Sequence, residues 1–248
     1  MQLLGLERDG SGTPFLWLHG FTQTKASAHR FRSILAGQLE LLTLDLPGHG
    51  ENASRRASLV EIADLLADSL PDGPLAVGGY SFGARVALHL ALGHPERVTR
   101  LVLLGASRGL ASDAERQARR SRDEDWAALI ERDGTSSFLS AWLAQPLFAT
   151  LTPEATESNA RSQHAPGLAN SLRDAGTGTQ VFLQPRLKDV RATTLTMAGA
   201  YDVKFTHEAE AIARGIPNAR VAVIANAGHA AHLEQPEACA AEVLSFLR

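Results

Sequence analysis

The chain predicts an α/β fold, with a mostly parallel central sheet flanked by helices. Three observations carry this expectation. Short apolar runs of strand length alternate with segments whose apolar residues recur at helical spacing. One junction, Gly79-Tyr80-Ser81-Phe82-Gly83, has the pattern of a sharp strand-to-helix turn. The alternation stops over residues 112–178 and then resumes.

In chain order, Leu3 to Leu6 reads as a short edge strand. Phe15-Leu16-Trp17-Leu18 is an apolar run that stops at His19-Gly20-Phe21. Leu41 to Leu46 is a second run, ended by Pro47-Gly48-His49-Gly50. Leu59, Ile62, Ala63, Leu66 and Leu70 repeat at helical spacing. Leu75-Ala76-Val77 leads into Ser81 as a strand, and Ala84 to Leu92 leads out as a helix. Val98 to Leu104 is a further strand, rich in aliphatic residues. From Ser112 to Gly178 the chain is polar and helix-like, with Trp126, Phe138, Trp142 and Phe148 as apolar anchors. After Pro185, Thr193 to Ala198 reads as a strand, Glu208 to Arg214 as a helix, Arg220 to Ala225 as a strand and Pro236 to Leu247 as a closing helix. The expected organisation is one structural domain. Residues 1–111 and 179–248 form its α/β core, and 112–178 form a helical cap inserted after the sixth strand.

Composition narrows the classes. Of 248 residues, 44% are hydrophobic and 21% charged, and the net charge is −3. That balance gives no footing for nucleic acid or an anionic membrane surface as partner. No run of about 20 apolar residues appears, and the first residues lack a signal-peptide pattern. Cys239 is the only cysteine, which excludes an internal disulfide and is compatible with a reducing compartment. The expectation is a cytoplasmic protein acting on a small molecule, as monomer or homodimer.

A serine hydroxyl is a poor base and nucleophile at neutral pH and needs an adjacent imidazole, which in turn needs an acid to fix its tautomer. Open α/β sheets bind ligands at the carboxyl ends of their strands. Ser81, Asp202 and His229 each follow a predicted strand, and their order Ser, Asp, His is that of the α/β-hydrolase layout. An oxyanion hole is expected from two backbone N–H groups. Phe82 sits at a helix N-terminus, and Phe21 follows Gly20 on a loop free to approach closely. His232 lies three residues after His229, but no carboxylate motif completes a metal site. The other histidines read as structural or surface residues.

Arg85 lies one helical turn beyond Ser81. An arginine in that apolar helix requires either an internal acidic partner or a place facing the site. Arg119 with Asp123, and Arg120 with Glu124, have the spacing of exposed helical ion pairs. Together with Arg85, a basic cap suits a substrate bearing several carboxylates.

Several of these segments resemble one family closely. Gly79-Tyr80-Ser81-Phe82-Gly83-Ala84-Arg85 resembles the nucleophile motif of the 2-succinyl-6-hydroxy-2,4-cyclohexadiene-1-carboxylate synthases of menaquinone biosynthesis, within the α/β-hydrolase superfamily. Glu115-Arg116 through Trp126, then Phe138, Trp142 and Gln145-Pro146-Leu147-Phe148, is similar to that family's cap. So are Arg161, Gly167-Leu168-Ala169 and Ser171-Leu172-Arg173. Gly199 to Phe205 and Gly228 to His232 resemble its Asp and His loops. The resemblance implies a lyase that removes a ring proton and eliminates pyruvate without a cofactor or metal. It implies Ser81 as base, His229 and Asp202 behind it, and Phe21 and Phe82 as oxyanion donors. It also implies Arg85, Arg119 and Arg161 as carboxylate ligands, with Tyr80 and Trp142 lining the pocket. Arg120 and Arg122 remain alternatives to Arg119. A serine hydrolase acting on an ester or C–C bond shares the triad but has no need of three site-facing arginines. A receptor of this fold has no need of the triad.

Overall fold

The computed structural model describes residues 3–248. Among them seven strands form one sheet: β1 (Glu7–Gly10), β2 (Pro14–Leu18), β3 (Glu40–Thr43), β4 (Leu75–Tyr80), β5 (Val98–Leu104), β6 (Thr193–Gly199) and β7 (Ala219–Ile224). Their order is β1-β3-β2-β4-β5-β6-β7. Only the β1/β3 pair is antiparallel. The helices are α1 (His29–Ala36), α2 (Leu59–Ser69), α3 (Phe82–Gly93), α4 (Asp113–Leu143), α5 (Ala165–Ala175), α6 (Val203–Gly215), α7 (Ala231–Glu234) and α8 (Pro236–Leu247).

The central strands are covered on both faces, so they read in sequence as continuous apolar runs rather than alternating ones. Successive side chains still point to opposite faces. Leu16 and Leu18 of β2 enter the core under α2 and α3. Phe15 and Trp17 of the same strand enter the other core, with Phe31 of α1 and Val243 of α8. A third, smaller apolar cluster joins α4 to α5 through Ile130, Phe138, Leu168 and Leu172. At its exposed edge Arg173 bridges Glu124 and Glu131.

Several expectations need correction. The edge strand is Glu7–Gly10 rather than Leu3 to Leu6; its four residues are exposed and polar, so no apolar run marks it. Leu4 is instead a buried core residue. Helix α1 carries no start signal of its own. Ala28 precedes it with φ 60 and no side-chain cap, and the acceptor for the Ala28 and His29 N–H groups is the distant Glu157 carboxylate. Helix α6 begins at Val203 rather than Glu208, because Asp202 caps it by accepting from Phe205 N at 3.2 Å. The strandless stretch follows the fifth described strand rather than the sixth, since a single antiparallel strand leads into β2. Its long helix α4 starts in a capping box of Ser112 and Glu115 and breaks at Gly134, where φ is 79.

The junction of β4 and α3 depends on two small residues. A Cβ on Gly83 stands 2.3 Å from the Leu18 carbonyl oxygen, and one on Gly79 stands 2.5 Å from the Gly83 carbonyl carbon. Both obstacles are backbone and cannot swing aside. Gly83→Ala is expected to destabilise the fold by about 1–3 kcal/mol through overpacking. Urea unfolding measures this, and an unchanged midpoint contradicts the close approach.

Candidate active site

Ser81 sits at the tip of that junction with φ 50 and ψ −102, in a region that L residues avoid. The conformation is held from both sides. Ser81 N donates to Leu104 O of β5 at 2.8 Å, and Ser81 O accepts from Arg85 N at 3.0 Å. The turn lifts the hydroxyl above the carboxyl edge of the sheet. The loops after β6 and β7 reach the same edge. His229 Nδ1 lies 2.7 Å from Asp202 Oδ2, and His229 Nε2 lies 3.2 Å from Ser81 Oγ. Asp202 and His229 are buried. With Nδ1–H donating to the carboxylate, Nε2 is left to accept the serine proton. Gly228 N donates to Glu234 Oε2 at 2.8 Å and anchors the His loop.

Phe82 N is the first N–H of α3, and Phe21 N lies in the loop after β2. Among the described residues neither donates a hydrogen bond within the protein. The Phe21 loop is braced by two buried imidazoles. His19 Nε2 accepts from Leu46 N at 3.0 Å, and its Nδ1–H donates to Gly20 O. His49 Nε2 accepts from Thr22 N at 3.3 Å, and its Nδ1–H donates to Pro47 O.

Ser81, Phe82, Phe21 and His229 open on a cavity of about 340 Å³. Its wall also contains Arg85, Arg119, Arg122 and Lys204, against a single carboxylate, Asp123. Arg85 is buried, and its Nη1 donates to Ala175 O at 2.9 Å and Gln180 Oε1 at 3.3 Å. The acidic partner that its helix position allowed is not there: among the described residues no carboxylate pairs with it. Burial, with Arg119 nearby, pushes its pKa down to about 9, so it remains a cation at neutral pH. Arg119 Nε donates to Asp123 Oδ1 at 2.8 Å. Asp123 is buried rather than exposed as its helical spacing suggested. Arg120 turns away, to Gly178 O and Gln117 Oε1. Arg119 and Arg122 therefore reach the cavity and Arg120 does not.

Trp142 lines the cavity, and its buried indole N–H has no partner among the described residues. Tyr80 and Arg161 do not line it. The Tyr80 ring lies beneath the site, 5.3 Å from the His229 ring and 4.3 Å from that of His232. Arg161 is buried behind the Phe21 loop. Lys204 is the residue that sequence reasoning left without a role; its place two positions after Asp202, at a strand's carboxyl end, was the available signal. Among the described residues no cluster of three or more His, Cys, Asp or Glu side chains is arranged to hold a metal ion.

A parallel sheet carrying this serine, histidine and aspartate at its carboxyl edge defines the class: the chain belongs to the alpha/beta hydrolase family, and a model of that family matches residues 15–242. Within it, the chain belongs with the 2-succinyl-6-hydroxy-2,4-cyclohexadiene-1-carboxylate synthases. The protein of that name from Serratia proteamaculans (strain 568) is 31% identical, over 98% of this chain and 96% of its own length. A Bacillus subtilis (strain 168) protein, provisionally given the same name, is 34% identical over 93% of this chain and 88% of its own. The solved structure of MenH from S. aureus superposes with a TM-score of 0.91 at 31% identity, covering 100% of this chain and 98% of that one.

Four buried imidazoles have pKa values well below the ordinary 6.5. Burial lowers His19 and His89 to about 4, and His49 and His232 to about 3. The unfolded chain takes up protons at these groups near pH 6.5, while the folded one stays neutral to about 4 or below. Stability from these groups is therefore full above pH 6.5 and is lost as the pH falls toward 4. A Tm series across pH 8 to 4 is expected to decline from about pH 6.5. A decline that begins only below about pH 4.5, the carboxylate range, contradicts this.

Proposed function

We propose that this chain is a 2-succinyl-6-hydroxy-2,4-cyclohexadiene-1-carboxylate synthase. It eliminates pyruvate from 2-succinyl-5-enolpyruvyl-6-hydroxy-3-cyclohexene-1-carboxylate. The observation that carries the proposal is the pairing of a Ser81–His229–Asp202 relay with a cavity holding four cationic side chains and one carboxylate. The substrate bears three carboxylates, on the ring, the succinyl chain and the enolpyruvyl group. Among the described residues no carboxylate is ion-paired with Arg85, and a guanidinium suits bidentate capture of a carboxylate. Arg119, Arg122 and Lys204 supply further positive charge around the same space.

In this reading His229 Nε2 takes the Ser81 proton, and Ser81 Oγ removes the ring proton next to the succinyl carbonyl. Asp202 holds His229 in the required tautomer and stabilises the imidazolium. Electron density moves onto the succinyl carbonyl oxygen, where the Phe21 and Phe82 N–H groups receive it. One such donor is worth about 3–4 kcal/mol of transition-state stabilisation. The charge then returns through the ring double bond, the ring C–O bond breaks, and pyruvate enolate leaves and is protonated. The product keeps the new conjugated diene. A proton moves and a C–O bond breaks, so no redox carrier takes part.

Residues 112–178 act as the cap over this chamber in the proposal, with 1–111 and 179–248 as the core of one structural domain. Trp142 is central to the cap's apolar lining, 5.1 Å from the Phe21 ring and 5.5 Å from that of Trp126. Its free indole N–H offers the substrate a further donor. No helix among the described residues is long and apolar enough to cross a membrane. A cytoplasmic enzyme working on a diffusible polycarboxylate fits that.

Pyruvate release from the enolpyruvyl substrate, followed by a coupled reaction, tests the proposal. Turnover is expected there and not on p-nitrophenyl esters; the reverse pattern makes the chain a serine hydrolase. Ser81→Ala and His229→Ala are each expected to lower kcat by several orders of magnitude, since relay members act as a unit. Near-normal rates in either variant remove the mechanism. Arg85→Ala is expected to cost about 1.5–3 kcal/mol in kcat/KM, the worth of a charge-assisted hydrogen bond. An unchanged value makes Arg85 structural.

A further inference from the structure

The loop that carries the Phe21 amide is strained, and it is held in place from outside. Gln23 N donates to Gly20 O at 3.1 Å, so residues 20–23 form a tight turn. Thr22 occupies the third position of that turn with φ 70. A turn with positive φ there is the property of glycine or asparagine, and a β-branched residue in that region is an outlier. Such a conformation persists only where the surroundings over-determine it.

The surroundings here are three hydrogen bonds around a fully buried side chain. Thr22 N donates to His49 Nε2, Ser162 N donates to Thr22 O at 2.8 Å, and Arg161 Nη1 donates to Thr22 Oγ1 at 2.6 Å. Two of the three come from Arg161 and its neighbour, Arg161 lying 139 residues from Thr22 in sequence. Arg161 also forms an antiparallel bridge with Gln23, and its Nε donates to Thr156 O at 2.8 Å. Thr24 and Ser27 hydroxyls donate to Ala160 O at 2.7 and 2.9 Å and extend the same seam. Arg161 is buried and absent from the cavity wall, and among the described residues no carboxylate pairs with it. Its planar fork spans a hydroxyl on one side and a carbonyl on the other, which a lysine ammonium cannot reproduce in the same geometry.

We propose that Arg161 is a positioning residue: by clamping the strained turn at Thr22 to the segment around Thr156, it keeps the Phe21 N–H aimed at the oxygen where negative charge develops. The inference rests on the role assigned above to Phe21. Arg161 acts through the loop and does not touch the substrate.

Arg161→Met, Arg161→Lys and the double variant Arg161→Met with Thr22→Gly test this, together with the wild-type protein. Arg161→Met is expected to lower kcat for pyruvate release roughly 10- to 100-fold, with KM little changed. Arg161→Lys keeps the charge and the stem but not the fork, and is expected to lose kcat to a smaller extent, again without a rise in KM. Adding Thr22→Gly to Arg161→Met is expected to recover much of kcat, because glycine adopts positive φ without a clamp. A raised KM at unchanged kcat in the Lys or Met variant overturns the proposal, as does a double variant no better than Arg161→Met. Amide hydrogen exchange over residues 19–28 reads the clamp without any turnover. It is expected to quicken in both single variants, and unchanged exchange also overturns the proposal. Wild-type protein that releases no pyruvate refutes the function proposed above, while the exchange result still decides what Arg161 does.

Discussion

The site depends on one backbone reversal. Strand β4 must end and helix α3 begin within a single residue, and that residue is Ser81, at φ 50. The reversal closes only because Gly79 and Gly83 bring backbone to within a distance that no side chain could share. It places one hydroxyl above the sheet and the first N–H of α3 next to it. The strain is balanced by the Leu104 carbonyl on one side and the helix on the other. Asp202 and His229 need only reach the same edge. They do so because β6 and β7 run parallel to β4 and extend two residues past its level, Tyr80 standing level with Leu104 and Met197, and Gly199 pairing with Ile224.

A second strained turn lies in the loop after β2. Thr22, like Ser81, holds a positive φ, and each precedes or follows a residue whose N–H is an oxyanion donor in the proposed mechanism. The two turns are stabilised by different means. Ser81 is held by the sheet and α3, which are among the most buried parts of the chain. Thr22 is held by side chains: His49, and Arg161 from the stretch between α4 and α5. Neutral imidazoles suit this work, since each supplies an acceptor and a donor inside a dry wall without the desolvation cost of a charge. In the proposed function the burial of Arg85 strengthens its attraction for a substrate carboxylate, because attraction between opposite charges grows as water is excluded.

Much of this was legible in the sequence, and most of what was not depends on partners far along the chain. Ser81, Asp202 and His229 could be placed together because each follows a strand, and strand ends in a parallel sheet share an edge. Phe21 and Phe82 could be named as candidate donors because a helix start and a Gly-led loop are local features, and among the described residues neither N–H has a partner in the protein. By contrast, β1 lies exposed at an edge and carries no apolar run. The acceptor that caps α1 is Glu157, 129 residues from Ala28. Arg85 was open to an acidic partner, but the structure gives it a carbonyl and an amide instead. Arg161 reads as a carboxylate ligand by resemblance, yet its hydrogen bonds go to Thr22 and Thr156. For α1, Arg85 and Arg161 the deciding partner is distant in sequence, and no local pattern announces it.

In the proposed mechanism Ser81 serves as a base toward a ring carbon. The most direct measurement is the single-turnover rate of pyruvate release from substrate carrying deuterium on the ring carbon next to the succinyl carbonyl, set against the protonated substrate. With Ser81 as the base, a primary isotope effect is expected, the deuterated substrate reacting several-fold more slowly. Equal rates, accompanied by an ester adduct on Ser81 in the quenched protein, would contradict it.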